Sequence, residues 1–260
     1  MTKRKPIVAG NWKMFMGPAD GAQLAYRLIN AYEIIAPLDV VICPPFVSMT
    51  EVGRAIEGSG ICLGAQNVFW ESNEGPYTGE VSAQMLSGWC DYVIVGHSER
   101  RQHFNETDAI VNSKVQAGLY YGMRVIICVG EDVHENRAGN TKDVIERQIR
   151  EAYLGVTHKD ALQTVVAYEP IWAIGTGLAS DAVEANKVCA EYVRGTLYNM
   201  YGDEVSEKIR IQYGGSINKN NISEFIVQSD IDGVLIGGAS LSAEDFSGIL
   251  SLVGRHYLSD

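Results

Sequence analysis

Positive charge is scarce in this chain: 21 Lys and Arg stand against 32 Asp and Glu in 260 residues, a net charge of −11. That balance argues against nucleic acid or an anionic membrane surface as a partner, since both are held by lysine and arginine. It also repels small anions at long range, so any anion site must be local, built from a few cations and backbone N–H groups. Cysteine is sparse and odd in number (Cys43, Cys62, Cys90, Cys128 and Cys189), with no Cys-x-x-Cys. Neither a disulfide framework nor a zinc site is indicated. Cys43, Cys62 and Cys128 fall in apolar runs and read as small buried hydrophobes. No hydrophobic run is long enough to span a bilayer. The basic stretch Met1 to Pro6 precedes no apolar signal core, and Tyr257-Leu258-Ser259-Asp260 is no retention or peroxisomal address. A reducing, cytoplasmic setting is expected. No Gly-x-x-x-x-Gly-Lys-Ser/Thr occurs, which leaves nucleotide binding unsupported. No Pro-rich, Ser-rich or low-complexity stretch supplies a linker, so residues 1–260 are expected to form a single domain.

What is present is alternation. Short apolar runs recur at Ile7–Asn11, Asp39–Cys43, Ile61–Ala65, Tyr92–Val95, Arg124–Val129, Thr164–Tyr168, Arg210–Tyr213 and Gly233–Ile236. Helix-like segments lie between them, among them 19–35, 180–201, 221–228 and 243–256. In the first, Leu24, Leu28 and Ile35 share a face; in the second, Asp181 stands three residues before Glu184, a helix-start signal. Strands alternating with helices imply parallel pairing and right-handed crossovers. Eight such units in this length predict an α/β fold of the closed (β/α)8 barrel type rather than an open sheet. One connection, residues 66–80, is too long for simple joining and carries Phe69, Trp70 and Tyr77. Those rings need cover, either from a partner subunit or from their own domain.

In a parallel barrel the residues just beyond the strands crowd together at one end, and that end hosts active sites. Position alone nominates Asn11 and Lys13 after the first strand, His97 and Glu99 after the fourth, and Glu169 after the sixth. Each has a plain alternative: a solvated loop cation, a turn residue, a helix cap with a charged first turn, a structural acid. Their shared position at strand ends favours one site. Glu169 closes a buried run and is followed by Pro170-Ile171-Trp172-Ala173-Ile174-Gly175-Thr176-Gly177, a large aromatic leading into flexible glycines. A half-desolvated base beside a hinged apolar flap suggests chemistry shielded from water. Gly214-Gly215-Ser216 and Gly237-Gly238 follow the last two strands, where barrels frequently bind phosphate. Neither pair fits the Rossmann spacing.

These motifs together, Ala9-Gly10-Asn11-Trp12-Lys13, Gly96-His97-Ser98-Glu99-Arg100-Arg101, Ala167 to Gly177, Tyr213-Gly214-Gly215-Ser216 and Gly237-Gly238-Ala239-Ser240-Leu241, resemble the triosephosphate isomerase family along essentially the whole chain. The resemblance implies the TIM barrel and interconversion of dihydroxyacetone phosphate and glyceraldehyde 3-phosphate through an enediol(ate), without metal or organic cofactor. It implies Glu169 as the base and a neutral His97 as the electrophile, the pairing of carboxylate and imidazole for which this family is known. Lys13 is implied to supply positive charge, Asn11 a polar substrate contact, and Glu99 assistance to Lys13 or to proton shuttling. Gly175, Ser216, Gly237 and Gly238 are implied to grip the phosphate, and Tyr213 to latch a closed flap. The resemblance also implies a homodimer through 66–80, with Thr78 reaching the neighbour's site. Two positions depart from the family's usual residues: Leu178 at the flap's far hinge and Pro76 in the long loop. Other readings from different classes are a phosphate-binding lyase or aldolase, and a catalytically inert protein on the same fold.

Overall fold

The computed structural model describes residues 4–32, 37–71, 73–173 and 180–258. Eight strands form: β1 (Ile7–Asn11), β2 (Asp39–Cys43), β3 (Cys62–Ala65), β4 (Tyr92–Val95), β5 (Arg124–Val129), β6 (Thr164–Tyr168), β7 (Arg210–Tyr213) and β8 (Gly233–Ile236). They close into one parallel barrel in sequence order, β1 pairing β8 with Ile7 opposite Gly233. The apolar runs are nearly continuous because both faces of each strand are buried. Side chains alternate across the strand: Ile7 and Ala9 join Tyr92, Ile94, Ile126, Cys128, Val165 and Ala167 in the cluster filling the barrel. Val8, Val93, Val95, Val125 and Ile127 instead join the larger cluster shared with the helices. The result is a packed core with two mouths, not a pore.

Seven of the expected strands form with the expected bounds. The third starts at Cys62 rather than Ile61, because its first register partner is Val41 opposite Cys62. Cys62 consequently sits half-buried at the barrel's edge instead of in its core, whereas Cys43 and Cys128 are buried; all five cysteines are free thiols. Burial, followed by the charge of nearby Asp91, pushes the Cys62 thiol up to about 11. It is therefore protonated at neutral pH.

The first helix spans Pro18–Ala31, one residue earlier than its apolar pattern implies, with proline where its missing N–H costs nothing. Ile35, assigned to its buried face, lies outside the described residues. The segment expected over 180–201 is helical from Ala182, with Asp181 accepting from the N–H groups of Val183 and Glu184. Its middle, Val188–Arg194, is π-helical, which no sequence pattern announces. There the buried Arg194 guanidinium donates to Asp230 at 2.6 Å and to the carbonyl of Ser206 at 2.6 Å. The remaining two segments form as Ile222–Ile226 and Ala243–Leu258. In the long connection Phe69 is buried against Trp70 and Tyr77, with ring centroids 4.1 and 4.8 Å away. Trp70 and Tyr77 remain 42% and 40% exposed, so the loop covers only one of its three rings.

Candidate active site

Asn11 ends β1, and its side-chain oxygen accepts the N–H of Lys13 at 3.0 Å. That turn places Lys13 in the left-handed region, φ 52°, an unusual conformation for a lysine. Its Nζ lies 2.7 Å from Glu99 Oε1. Burial pushes the Glu99 carboxyl up, but the hydrogen bond from Lys13 and the neighbouring positive charge outweigh it and leave the group below the usual range. Gln66, the first residue after β3, donates at 2.8 Å to the carbonyls of both Lys13 and Cys43. It ties the ends of β1, β2 and β3 together beneath the lysine. Gln66 obeys the same strand-end rule as Asn11 and His97, so the rule itself could have found it.

Beyond β4 the chain turns at Gly96, φ +68°, a conformation that favours glycine. His97 then caps the helix Ser98–Phe104, its Nδ1 accepting the N–H of Glu99 at 3.3 Å. A fixed N–H donor facing Nδ1 leaves no room for a second proton there. Nδ1 is therefore the acceptor, and the imidazole proton resides on Nε2. Nε2 lies 3.0 Å from Glu169 Oε1. The other carboxylate oxygen, Oε2, accepts the backbone N–H of Ser98 at 3.0 Å. Glu169 is only 2% exposed, yet it is fully partnered. To act as a base it must give up at least one of these two contacts to a substrate C–H.

Asn11, Lys13, His97, Glu169, Ser216, Gly237 and Gly238 line one cavity of about 260 Å³, together with Gly214 and Gly215. Its size suits a ligand smaller than a typical drug-sized one. Glu99 stands at the rim through Lys13. Ser216 spends its hydroxyl on the carbonyl of Ala173 at 2.7 Å, the last described residue before the flap. The N–H of Ser180, at the flap's far side, donates to Tyr213 Oη at 3.2 Å. Gly175 and the hinge residue Leu178 lie outside the described residues. Trp172, which leads into the flap, donates its indole N–H at 2.8 Å to Glu131, a fully buried carboxylate that also accepts from Tyr168 Oη at 3.2 Å. Burial pushes the Glu131 carboxyl up, partly offset by these donors. Glu131, Gln66 and the Ser98 N–H are the supports that the sequence motifs do not name. Among the described residues no cluster of His, Cys, Asp or Glu is placed to hold a metal ion.

Gly214 bears on the base directly. A Cβ there would lie 2.8 Å from Glu169 Cγ, closer than real Cβ contacts come. Gly214→Ala should lower kcat by up to about a hundredfold, the size expected for a base displaced by a fraction of an ångström to one ångström. KM should change less than kcat, because the added methyl meets Glu169 Cγ while Ser216, Gly237 and Gly238 are left as they are. Steady-state kinetics decides, and an unchanged kcat would show that the position of Glu169 tolerates the shift.

The sequence has counterparts in known proteins. The family model described as Triosephosphate isomerase matches residues 6–253. The chain is similar to the triosephosphate isomerase of Thermoanaerobacter sp. (strain X514), 50% identical over 249 residues, which are 95% of this chain and 99% of that protein. It is also similar to those of Caldanaerobacter subterraneus subsp. tengcongensis, 49% identical over 249 residues (95% and 99%), and Carboxydothermus hydrogenoformans, 46% identical over 248 residues (95% and 98%). A family match across nearly the whole barrel, joined to a buried carboxylate, an imidazole and a lysine around one small cavity, places this chain in the triosephosphate isomerase family.

Proposed function

We propose that this chain interconverts dihydroxyacetone phosphate and D-glyceraldehyde 3-phosphate, the isomerisation that links the two trioses in glycolysis and gluconeogenesis. Glu169 removes a proton from C1 of the ketose, and the C–H electron pair becomes a C1=C2 double bond. The carbonyl oxygen gains the charge and takes over the hydrogen bond from His97 Nε2 that Glu169 Oε1 now accepts. The hydroxyl proton on O1 passes to O2, with His97 Nε2 placed to relay it, so that return of the carbon proton to C2 leaves O1 as the aldehyde oxygen and yields the aldose. A neutral imidazole suits this step, since after giving its Nε2 proton to one oxygen it can take one back from the other. Lys13 lies where it offsets the charge of the enediolate and of the phosphate, oriented by Asn11 and braced by Glu99. Ser216, Gly237 and Gly238 hold the phosphate, joined by Gly175. No metal or organic cofactor takes part in this scheme.

The observation that carries the reading is the 3.0 Å contact between His97 Nε2 and Glu169 Oε1 inside the small cavity, with Nδ1 committed as acceptor. The test is exchange of the C1 proton of dihydroxyacetone phosphate with solvent deuterium, run with excess chelator. Exchange at the rate of turnover is expected. No exchange, or exchange abolished by the chelator, would overturn the scheme. Trapping of a protein adduct by borohydride would instead favour the Schiff-base lyase.

The same reading includes a homodimer of single-domain subunits, residues 1–260, working in the cytoplasm without nucleic acid or membrane. In its support, large apolar side chains stand exposed after three consecutive strands. Met14 (94%) and Phe15 follow β1, Val47 follows β2, and Trp70 and Tyr77 follow β3. No helix among the described residues is long and apolar enough to cross a membrane. Thr78, exposed between Tyr77 and Gly79, reaches the partner's site near Asn11 and His97 in this arrangement. Thr78→Arg should shift sedimentation from dimer to monomer and lower turnover about tenfold or more, because a site completed by its neighbour loses its alignment. A fully active monomer would refute the shared site.

A further inference from the structure

At the end of the barrel opposite the catalytic cavity lies a second one of about 730 Å³, nearly three times the volume of the first. Three of its lining residues, Asp39, Arg124 and Arg210, meet at the hydroxyl of Tyr92, a barrel-filling ring that donates to Asp39 Oδ2 at 3.0 Å. Two guanidinium groups converge on that hydroxyl, Arg124 Nη1 at 3.3 Å and Arg210 Nη2 at 3.4 Å. Arg210 is also bonded to Asp39 at 2.6 Å, and Lys5 pairs with the same carboxylate. Lys5, Arg124 and Arg210 thus gather at the strand starts, with Asp39 paired to Lys5 and Arg210 only among the described residues. The cavity wall as a whole holds five cations to four carboxylates, in a chain whose net charge is −11. Charge here runs against the character of the molecule.

Asp39, Arg210, Lys5 and Tyr92 satisfy one another and close the barrel, which is a sufficient structural role. Arg124 falls outside that explanation. It is exposed and forms no ion pair among the described residues. Its one polar contact is the long bond to Tyr92, whose ring lies 5.5 Å from the guanidinium carbon. A guanidinium offers five N–H donors in a planar fork suited to carboxylate and phosphate oxygens. Most of that fork opens into the cavity's solvent. Asp203 is the wall carboxylate without a cation among the described residues, and it disfavours an anion at its own side of the cavity. The favoured seat is therefore at the Arg124 side.

We propose that this mouth of the barrel is a second ligand site, which takes a small dianion (a phosphate monoester or a dicarboxylate) on the Arg124 guanidinium, with Arg210 and Lys5 supplying field. The site is distinct from the catalytic cavity and shares no lining residue with it.

Titration calorimetry at low ionic strength tests it, since screening weakens exposed charge contacts. Inorganic phosphate and malonate are the probes, and Lys13→Met serves as the parent so that catalytic-site anion binding is suppressed. The parent should bind one dianion per chain. Adding Arg124→Gln should weaken that binding about tenfold or more, as expected for loss of charge-assisted hydrogen bonds, and Arg124→Lys should weaken it less. Arg124→Gln alone should keep wild-type turnover, which also shows that the exposed substitution leaves the fold intact. Tighter phosphate binding assigns the site to phosphate esters, and tighter malonate binding assigns it to dicarboxylates. No binding to the Lys13→Met parent, or binding unaffected by Arg124→Gln, overturns the proposal.

Discussion

Glu169→Gln should lower kcat by about a thousandfold, roughly 4 kcal/mol of transition-state stabilisation, the middle of the range for a positioned general base. KM should move little, since the amide has the volume of the carboxylate and the lysine and glycines on the phosphate side are unaltered. The amide oxygen can still accept the Ser98 N–H that Oε2 accepts at 3.0 Å. The amide NH2 would then face His97 Nε2, which holds its proton because Nδ1 is occupied by the Glu99 N–H. Two donors would meet where a donor and an acceptor stood 3.0 Å apart. Some displacement of the side chain follows, but the loss of basicity dominates the rate. Exchange of the substrate C1 proton should fall in parallel with turnover. A loss below about tenfold, roughly 1.4 kcal/mol, would remove Glu169 from the role of base.

The barrel was legible because burying both faces of every strand leaves a near-continuous apolar run, and eight such runs separated by polar, periodic segments have few alternatives. The one displaced boundary, Ile61, shows the limit of that signal: hydrophobicity continues one residue past the hydrogen-bonded ladder, which begins with Cys62 opposite Val41. The π-helical stretch at Val188–Arg194 was not legible at all, since a π turn and an α turn bury similar residues and differ in hydrogen-bond partner. Strand-end position, strengthened by the family motifs, brought Asn11, Lys13, His97 and Glu169 to one cavity. Gln66 apart, what it could not supply is the support beneath them. The Ser98 N–H is a backbone group and carries no residue identity. Gly214 reads as part of a phosphate-binding Gly-Gly, whereas the close approach of Glu169 Cγ gives it a second reason to lack a side chain. Glu131 follows β5 by two residues and looks like any loop acid until Trp172 and Tyr168 are seen to donate to it.

Lys13→Met should be the second large loss, and it should differ in kind. Removing a charged donor aimed at developing negative charge costs about a hundred- to a thousandfold in kcat. In the proposed scheme the same ammonium serves the phosphate, so KM should also rise, by about tenfold or more for a lost hydrogen bond to a charged group. The chain's net charge of −11 makes this lysine hard to replace: it is the only Lys or Arg lining the catalytic cavity among the described residues. Its removal also releases Glu99. Burial pushes that carboxyl up, and with Lys13 gone it loses the largest of the interactions that hold it down, the 2.7 Å hydrogen bond. An unpaired carboxylate at the rim would then repel the substrate dianion at neutral pH, so part of the Lys13→Met loss is repulsion rather than missing attraction. Glu99→Gln should therefore restore some of the lost kcat/KM when added to Lys13→Met, while costing activity on its own by freeing the lysine's flexible chain. That sign reversal is the signature of a coupled pair, read by a double-mutant cycle. If the two substitutions instead add, Glu99 acts on the substrate independently of Lys13, and the 2.7 Å contact is incidental to catalysis.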